Sequence, residues 1–435
     1  MKIKLYFPTI FLILLFHASF ITFPYLGNYN LLKYLIVLVV GIFLAFSFKT
    51  FLNKRYRTIN IMLLLYLAVT VISSFVNRHN VHERNVFLVA ILYSLVLIEV
   101  FFMFEYFSIK NKTVDLISVL YYLTLFYVIL TDCLLIAKPN LYIEKDMYYL
   151  IGNKFAVAYL HLQLIVLYLQ KFKFINKSTV NQNIIITIFF VITLFICFKI
   201  ECSTGIIGLF ALLILLLLNK SNKNILKKPQ TLLIVLFVSC SILLIFPMIL
   251  KNSFVSHVIV DILGEDLTLS FRMMIYKKAP KLLLANFVFG TGLGSSFEVV
   301  MKYMHAPNTQ NGLMECILEQ GIVGTVLLLI LIYFVFKYID KSKYSVPAIA
   351  MIYVFSVLAS VEITIDQTFI IWLAIAMVCS DSEIEENKKR KFKLVFKNKT
   401  WFVTQFNAVM FERSFKIYSW LLIYYGKIYG EKCCV

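Results

Sequence analysis

The sequence is poor in charge. Only 15% of its 435 residues are Asp, Glu, Lys or Arg, while 61% are hydrophobic. A soluble domain carries about 25% charged residues, so that class is excluded at the outset. Metal-binding and disulfide signatures are missing as well. The eight Cys are scattered, several inside apolar runs, and no pair has CxxC spacing. Neither a zinc site nor a disulfide framework is therefore expected. Cys433 and Cys434 offer only a weak acylation signal. No Asp-x-Asp motif falls in an outer loop, so no metal and no cofactor is expected. No internal repeat is visible, which argues against transporter architectures built from repeated halves.

What is present is a series of apolar runs about 17–25 residues long, the length a bilayer-crossing helix needs. The expected fold is an all-α polytopic membrane protein of about twelve transmembrane helices. The runs lie near 5–22, 31–48, 59–76, 86–108, 115–137, 154–170, 184–200, 204–219, 231–250, 322–338, 344–361 and 367–380. Residues 1–22 read as a first span and not as a signal peptide. The run is long, lacks a small-residue cleavage pattern and leads straight into more spans. The turn around ECSTG, residues 201–205, makes spans seven and eight a hairpin.

A net charge of +19 could suggest a nucleic-acid partner, but the charges sit in short loops between spans. Alternate loops are basic: Lys49, Lys54, Arg55 and Arg57, then Lys110 and Lys112, then Lys171, Lys173 and Lys177. The series continues with Lys220, Lys223, Lys227 and Lys228, then Lys337, Lys341 and Lys343, and ends in KKRKFK. The positive-inside rule places these loops and both termini in the cytoplasm. The expected organisation is a membrane domain over 1–380 and a basic, aromatic cytoplasmic tail over 381–435. WLLIYYGKIYG in that tail is too short to span, so the tail is expected to lie on anionic lipid.

One connection is long. Residues 251–321 fall on the outer face, and loops of this length are usually functional or disordered. In SFRMMIYKKAPKLLL, Phe271, Met274, Ile275, Ala279, Leu282 and Leu283 recur at helical spacing. Arg272, Tyr276, Lys277 and Lys281 take another face, and Pro280 is a candidate kink. This pattern predicts a helix lying on the membrane surface. GTGLG, residues 290–294, reads as a flexible turn. Pro307 and Asn308 mark a helix start with Asn308 or Thr309 as cap. Asn311, Glu315 and Glu319 then follow at i, i+4 and i+8 as one polar stripe.

Other polar residues gather on the same side. GNKF opens span six, with His161 about two turns further in. Asp132, Glu144, Asp146, Glu201, Glu362 and Asp366 lie on or near this side, each reading first as a solvated span end. Glu99 is deeper, in span four, where an unpaired carboxylate is costly.

Taken in order, these motifs resemble a known family. Asn311, then Glu319, Gly321 and Gly324, resemble the O-antigen polymerase and O-antigen ligase superfamily of bacterial membrane glycosyltransferases. GNK at 152–154, CSTG at 202–205, and Arg272 followed by FGTGLG at 289–294 resemble its further motifs. The resemblance covers about residues 60–380. Where the family tends to carry His before the Asn, this chain has Gln310. An amide does not usefully take a proton, so either His305, five residues upstream, serves as the base or the reaction needs no strong base.

The resemblance implies transfer of a glycan from a polyprenyl diphosphate to a sugar hydroxyl. Its partners would be the lipid-linked oligosaccharide and membrane lipid, with a flippase and chain-length regulators nearby and no nucleic acid. The guanidinium of Arg272 suits paired phosphate oxygens; Lys277, Lys278 and Lys281 would add attraction, although headgroup anchoring is the better reading of these lysines. His305, Gln310, Asn311 and Glu315 would position or deprotonate the acceptor hydroxyl. Asn153, Lys154, His161, Ser203, Thr204 and Glu319 would bind substrate. Blander readings stand beside these: Arg272 as a headgroup anchor, the 305–324 segment as a capped helix start, His161 as a core residue bonded to a neighbouring helix. The expected activity is polymerisation of repeat units into a capsule, exopolysaccharide or O-antigen. The alternatives are ligase-type transfer and, less favoured, a transporter or flippase.

Overall fold

The computed structural model describes residues 7–21, 23, 29–137, 149–175, 180–221, 225–242, 272–339 and 344–381. These fall in one unit, 4–387; a second unit, formed by 1–3 and 388–435, lies wholly outside the described residues, as does the expected tail beyond Asp381. The first part of the expected long loop, 251–271, lies outside them too.

Without water in a bilayer core, every backbone N–H and C=O must be satisfied within the chain, and apolar runs of this length answer by forming helices. Among the described residues no strand occurs, only an isolated bridge between Tyr149 and Gly152. The helices are α1 Phe7–Phe20, α2 Tyr29–Ala45, α3 Arg57–Val76, α4 Val86–Ile109, α5 Thr113–Ala137, α6 Lys154–Ile175 and α7 Val180–Lys199. They continue as α8 Ser203–Ser221, α9 Pro229–Ile242, α10 Arg272–Ala285, α11 Ser296–Met304, α12 Gly312–Ile339, α13 Val346–Leu358 and α14 Gln367–Ser380. Each expected span is met by one apolar helix. Six (α3, α4, α5, α6, α7 and α12) are long and apolar enough to cross a membrane, and six are shorter. The chain is a multi-pass helical membrane protein.

Burial sorts the helices by position. α14 is apolar all round and buried from Phe369 to Cys379, and α13 is nearly so, which makes these two the centre of the bundle. α3 lies along α12, α4 along α14, α5 along α6, and α8 along α13. α2 and α7 lie outside, leaving Leu31, Leu35, Leu38 and Ile42, and Ile184, Ile188, Val191, Phe195 and Phe198, exposed. Apolar chains turned outward at helical spacing are what lipid contact requires.

At one end of the bundle lie basic loops and a buried polar knot. Asp381 pairs with Arg55 at 2.5 Å and accepts from Ser108 Oγ at 2.9 Å, from Tyr338 OH at 2.6 Å, and from Tyr56 OH. Arg55 Nε donates to Tyr338 OH at 3.0 Å. The knot fastens the start of α3 to the ends of α4, α12 and α14. Burial pushes the Asp381 carboxyl up to about 7 even though Arg55 pulls it down. Helix polarity sends the other ends of these four helices to the opposite face.

That opposite face corrects three expectations. The helix expected to start at Asn308 or Thr309 starts at Gly312 and runs into the span expected from 322, and its cap is Asn311, whose Oδ1 accepts from Met314 N at 3.1 Å. Asn308 closes a smaller turn by accepting from Gln310 N at 2.8 Å. The helix then breaks at Gly321 (φ 68°, ψ −176°). A break in a spanning helix orphans carbonyls before it and N–H groups after it. The GTGLG segment, far from flexible, supplies the partners. Thr291 N donates to Leu318 O at 2.8 Å, Gly292 N to Glu319 O at 2.9 Å, and Ile322 N to Phe287 O at 2.8 Å. Gly290 and Gly321 permit this approach: a Cβ on Gly290 would meet Gly321 N at 2.5 Å, and one on Gly321 would meet Val288 O at 2.2 Å. α3 seals the outside, with Asn77 Nδ2 donating to Gly290 O at 3.1 Å and Ser74 Oγ accepting from Leu293 N at 2.9 Å.

The third correction concerns the surface helix. α10 buries Ile275, Ala279 and Leu282 as expected, but also Tyr276, while Met274 is exposed. Tyr276 OH donates to Gln310 O at 2.8 Å, which holds α10 down on the start of α12. α11 was not foreseen; it buries Val300 and Met304, one turn apart, against α10. Glu298 on α11 accepts from His82 N and Glu83 N, each at 2.8 Å, and those N–H groups hold its carboxyl below the usual range.

Candidate functional site

A cavity of about 920 Å³ opens at this face. Its wall is assembled from distant segments: the end of α1, Lys33 of α2, the turn at 151–153 with the first turns of α6, Asn308, the end of α13, and residues 362–368. Several of its polar side chains are there because helices start there. Gly152, at φ 122°, completes the turn before α6, and Asn153 Oδ1 accepts from Ala156 N at 3.0 Å as the α6 cap. Asp366 Oδ1 caps α14 by accepting from Thr368 N at 2.9 Å and Phe369 N at 3.1 Å. Thr364 Oγ1 donates to Phe355 O at 2.6 Å, tying the 362–366 segment to α13. Two helix N-termini, with their partial positive charge, thus border the cavity. Lys33 is the one basic side chain among its lining residues; Glu362 and Asp366 are the carboxylates. Asn153, Gln163, Asn308 and Gln367 add amides, and Tyr159, Phe155 and Phe355 add aromatic faces. A large open cleft with amides, carboxylates and ring faces has the chemistry to hold sugars through hydroxyl hydrogen bonds and stacking.

Of the residues singled out from sequence, Asn153 lines this cavity. Lys154, next to it, reaches sideways and donates to Glu201 O at 3.0 Å, clamping the α7–α8 turn. Ser203 and Thr204 open α8 just beyond, with Thr204 buried. His161 is buried within the bundle, its Nδ1 against Val157 O at 2.9 Å and its Nε2 against Asp132 Oδ2 at 3.2 Å, a link between α6 and α5.

The polar stripe is also engaged inside the fold. Asn311 is fully buried and donates through Nδ2 to Cys240 O at 3.0 Å. Glu315 accepts from Thr309 N at 3.2 Å and Thr309 Oγ1 at 2.7 Å. Glu319 Oε1 accepts from Gly294 N at 2.9 Å. Gln310 and His305 both take left-handed backbone, at φ 50° and 56°. Gln310 Oε1 is buried with no hydrogen-bond partner, and His305 is exposed at the end of α11. Neither lines the cavity; Asn308 is the residue of this segment that does. Arg272 is the first residue of α10, and Lys277 and Lys281 are exposed along it.

From sequence, Lys33, Gln163 and Gln367 belong to no motif, and Glu362 and Asp366 read as solvated span ends. A signal existed for two of them. Lys33 is a lone charge in an apolar run, which is costly without a use. Asp366 directly precedes an apolar helix, the position of a cap.

The described residues thus form a multi-pass helical bundle with one large cleft of mixed polar and apolar lining at one face. Residues 188–329 match the family model described as O-antigen ligase. The match runs from α7 into α12 and includes Arg272, the GTGLG segment and the Glu319–Gly321 motif. The match covers about a third of the chain and is consistent with the O-antigen polymerase and ligase superfamily. No curated protein matches the chain.

Proposed function

We propose that the protein polymerises polyprenyl-diphosphate-linked oligosaccharide repeat units into a surface polysaccharide. The observation that carries this reading is the cavity of about 920 Å³, lined by Asn153, Asn308, Glu362 and Asp366, at the same face as the α10–α12 segment of the family domain. In this reading all twelve apolar helices cross the membrane. The face with the basic loops is cytoplasmic, so the cavity opens to the outer leaflet, where a flipped donor arrives. Arg272 and the exposed Lys277, Lys278 and Lys281 of α10 meet the donor diphosphate, whose departure needs charge stabilisation more than a proton. The amides and carboxylates of the cavity hold the sugars of donor and acceptor in line. A flippase supplies the units and a chain-length regulator acts beside the enzyme.

The likeness of residues 188–329 to the O-antigen ligase family favours a second reading, ligase-type transfer of a finished glycan to another acceptor. The glycan profile of a strain lacking this gene separates the two. Polymerisation is supported by loss of long chains with accumulation of single lipid-linked units. Accumulation of long chains still on the lipid carrier means ligation. Units held on the cytoplasmic leaflet would mean a flippase and overturn both.

A further inference from the structure

Glycosyl transfer from a diphosphate leaves one proton to place. The departing diphosphate does not require it, so the attacking hydroxyl must pass it to a group within hydrogen-bond reach. His305 and Gln310 do not line the cavity, and an ammonium such as Lys33 has no lone pair to offer. The lining carboxylates are Glu362 and Asp366. Glu362 is buried, whereas Asp366 presents exposed area at the cavity.

Asp366 is also held in place. Its Oδ1 takes the N–H groups of Thr368 and Phe369 at 2.9 and 3.1 Å, which fixes the carboxylate to the first turn of α14. Desolvation by the surrounding protein pushes it up to about 6, outweighing the two N–H donors that pull it down. Such a group is ionised at neutral pH yet basic enough to take a proton. The titratable groups around it are Lys33 from α2 and Glu362 from the preceding loop, which share the cavity, Tyr93 from α4, and Cys316 from α12.

On the glycosyl-transfer reading given above, we propose that Asp366 accepts the proton of the attacking sugar hydroxyl. The hydroxyl oxygen bonds to the anomeric carbon of the donor. The bond from that carbon to the phosphate oxygen breaks, and its electron pair leaves on the polyprenyl diphosphate. The proton passes to the Asp366 carboxylate and from there to solvent.

The test uses the full chain in proteoliposomes. Its substrate is polyprenyl-diphosphate-linked oligosaccharide extracted from membranes of a strain lacking this gene. Wild-type chain extension should rise with pH through about 6 and then level off. Asp366→Asn keeps the cap, because an amide oxygen still accepts the two N–H groups. It should lower kcat by ~10²–10⁴-fold, leave KM within about twofold, and abolish the acid limb. Its thermal midpoint should match wild type. Asp366→Glu, which retains a carboxylate, should recover part of the rate together with the limb. Asp366→Asn with the wild-type rate, or with a lower rate and the acid limb intact, overturns the proposal. So does Glu362→Gln removing the limb while Asp366→Asn keeps it. A wild type that extends nothing defeats the glycosyl-transfer reading itself, and the proposal with it.

Discussion

Gly321→Ala should cost the fold several kcal/mol without touching the cavity. Gly321 sits at φ 68° and ψ −176°, a region that is essentially glycine-only and costs another residue about 1–3 kcal/mol. The new Cβ would lie 2.2 Å from Val288 O and 2.4 Å from Val288 C. Those are backbone atoms, so relief requires the 287–292 strap to withdraw. Withdrawal endangers the bonds Thr291 N to Leu318 O, Gly292 N to Glu319 O, and Ile322 N to Phe287 O, at about 0.5–1.5 kcal/mol each. Strain and lost bonds together come to roughly 2.5–7.5 kcal/mol, set against a total stability of about 5–15 kcal/mol. The control is Gly41→Ala on α2, where the added Cβ meets only the tip of a side chain, Glu99 Oε1, at 3.0 Å. Thermal unfolding of the purified full chain in detergent, followed by Trp fluorescence, reads both. Gly321→Ala should unfold far below wild type or fail to accumulate, and Gly41→Ala should stay close to it. A Gly321→Ala midpoint within about a degree of wild type would refute the interlock as a source of stability.

Three further outcomes are expected. Arg272→Ala should abolish polymer while the protein stays in the membrane, and Arg272→Lys should be severely impaired because a point charge does not replace a paired fork; normal polymer from the Lys variant makes Arg272 an anchor. Cysteines placed at 265 and 390 should react with an impermeant thiol reagent from opposite sides, 265 in intact cells and 390 only after permeabilisation; the reverse pattern inverts the proposed topology. Asp381→Ala should leave the buried Ser108 hydroxyl without its acceptor and Arg55 without its carboxylate, while Tyr56 OH keeps Ser108 Oγ, at about 1–3 kcal/mol, read as a lower unfolding midpoint with the pH profile of chain extension unchanged.

The twelve apolar segments were legible because length and hydropathy are all that a spanning helix demands, and each overlaps one helix, although α12 starts ten residues before the apolar run and α9 is described only to Ile242. The region from 272 to 321 was legible in part. The amphipathic pattern of α10 was plain, but Tyr276 reads as polar until its hydroxyl is seen to donate to Gln310 O. PNTQN offers several side chains able to cap a helix, and only the tertiary setting selects Asn311. GTGLG read as flexible because glycines remove local preference. Its rigidity comes from the broken helix it repairs, a contact some thirty residues away that no local pattern encodes. The cavity was the least legible feature. Its wall comes from segments near 18, 33, 153, 163, 308 and 366, so no spacing links them, and the polar ones look like ordinary caps.

The polar stretch HAPNTQNGLMECILEQGIVG at a membrane boundary therefore has a physical explanation that precedes any catalytic one. A spanning helix that starts early and then breaks leaves backbone groups that lipid cannot satisfy, and the side chains of this stretch satisfy them or hold the chain that does. Asn311 caps α12 and ties it to Cys240 on α9. Glu315 binds Thr309 through both its N–H and its hydroxyl, and so fixes the neighbouring Asn308 where it lines the cavity. Glu319 holds Gly294, and the strap before it fills the break at Gly321. The resemblance motifs thus coincide with the scaffold that carries one wall of the cavity. Residues that a family shares through such a scaffold identify the fold of the site, while most of the side chains lining the cavity come from α1, α6 and the 362–368 segment. A departure from the motif at Gln310, whose side chain does not reach the cavity, is then compatible with an intact site.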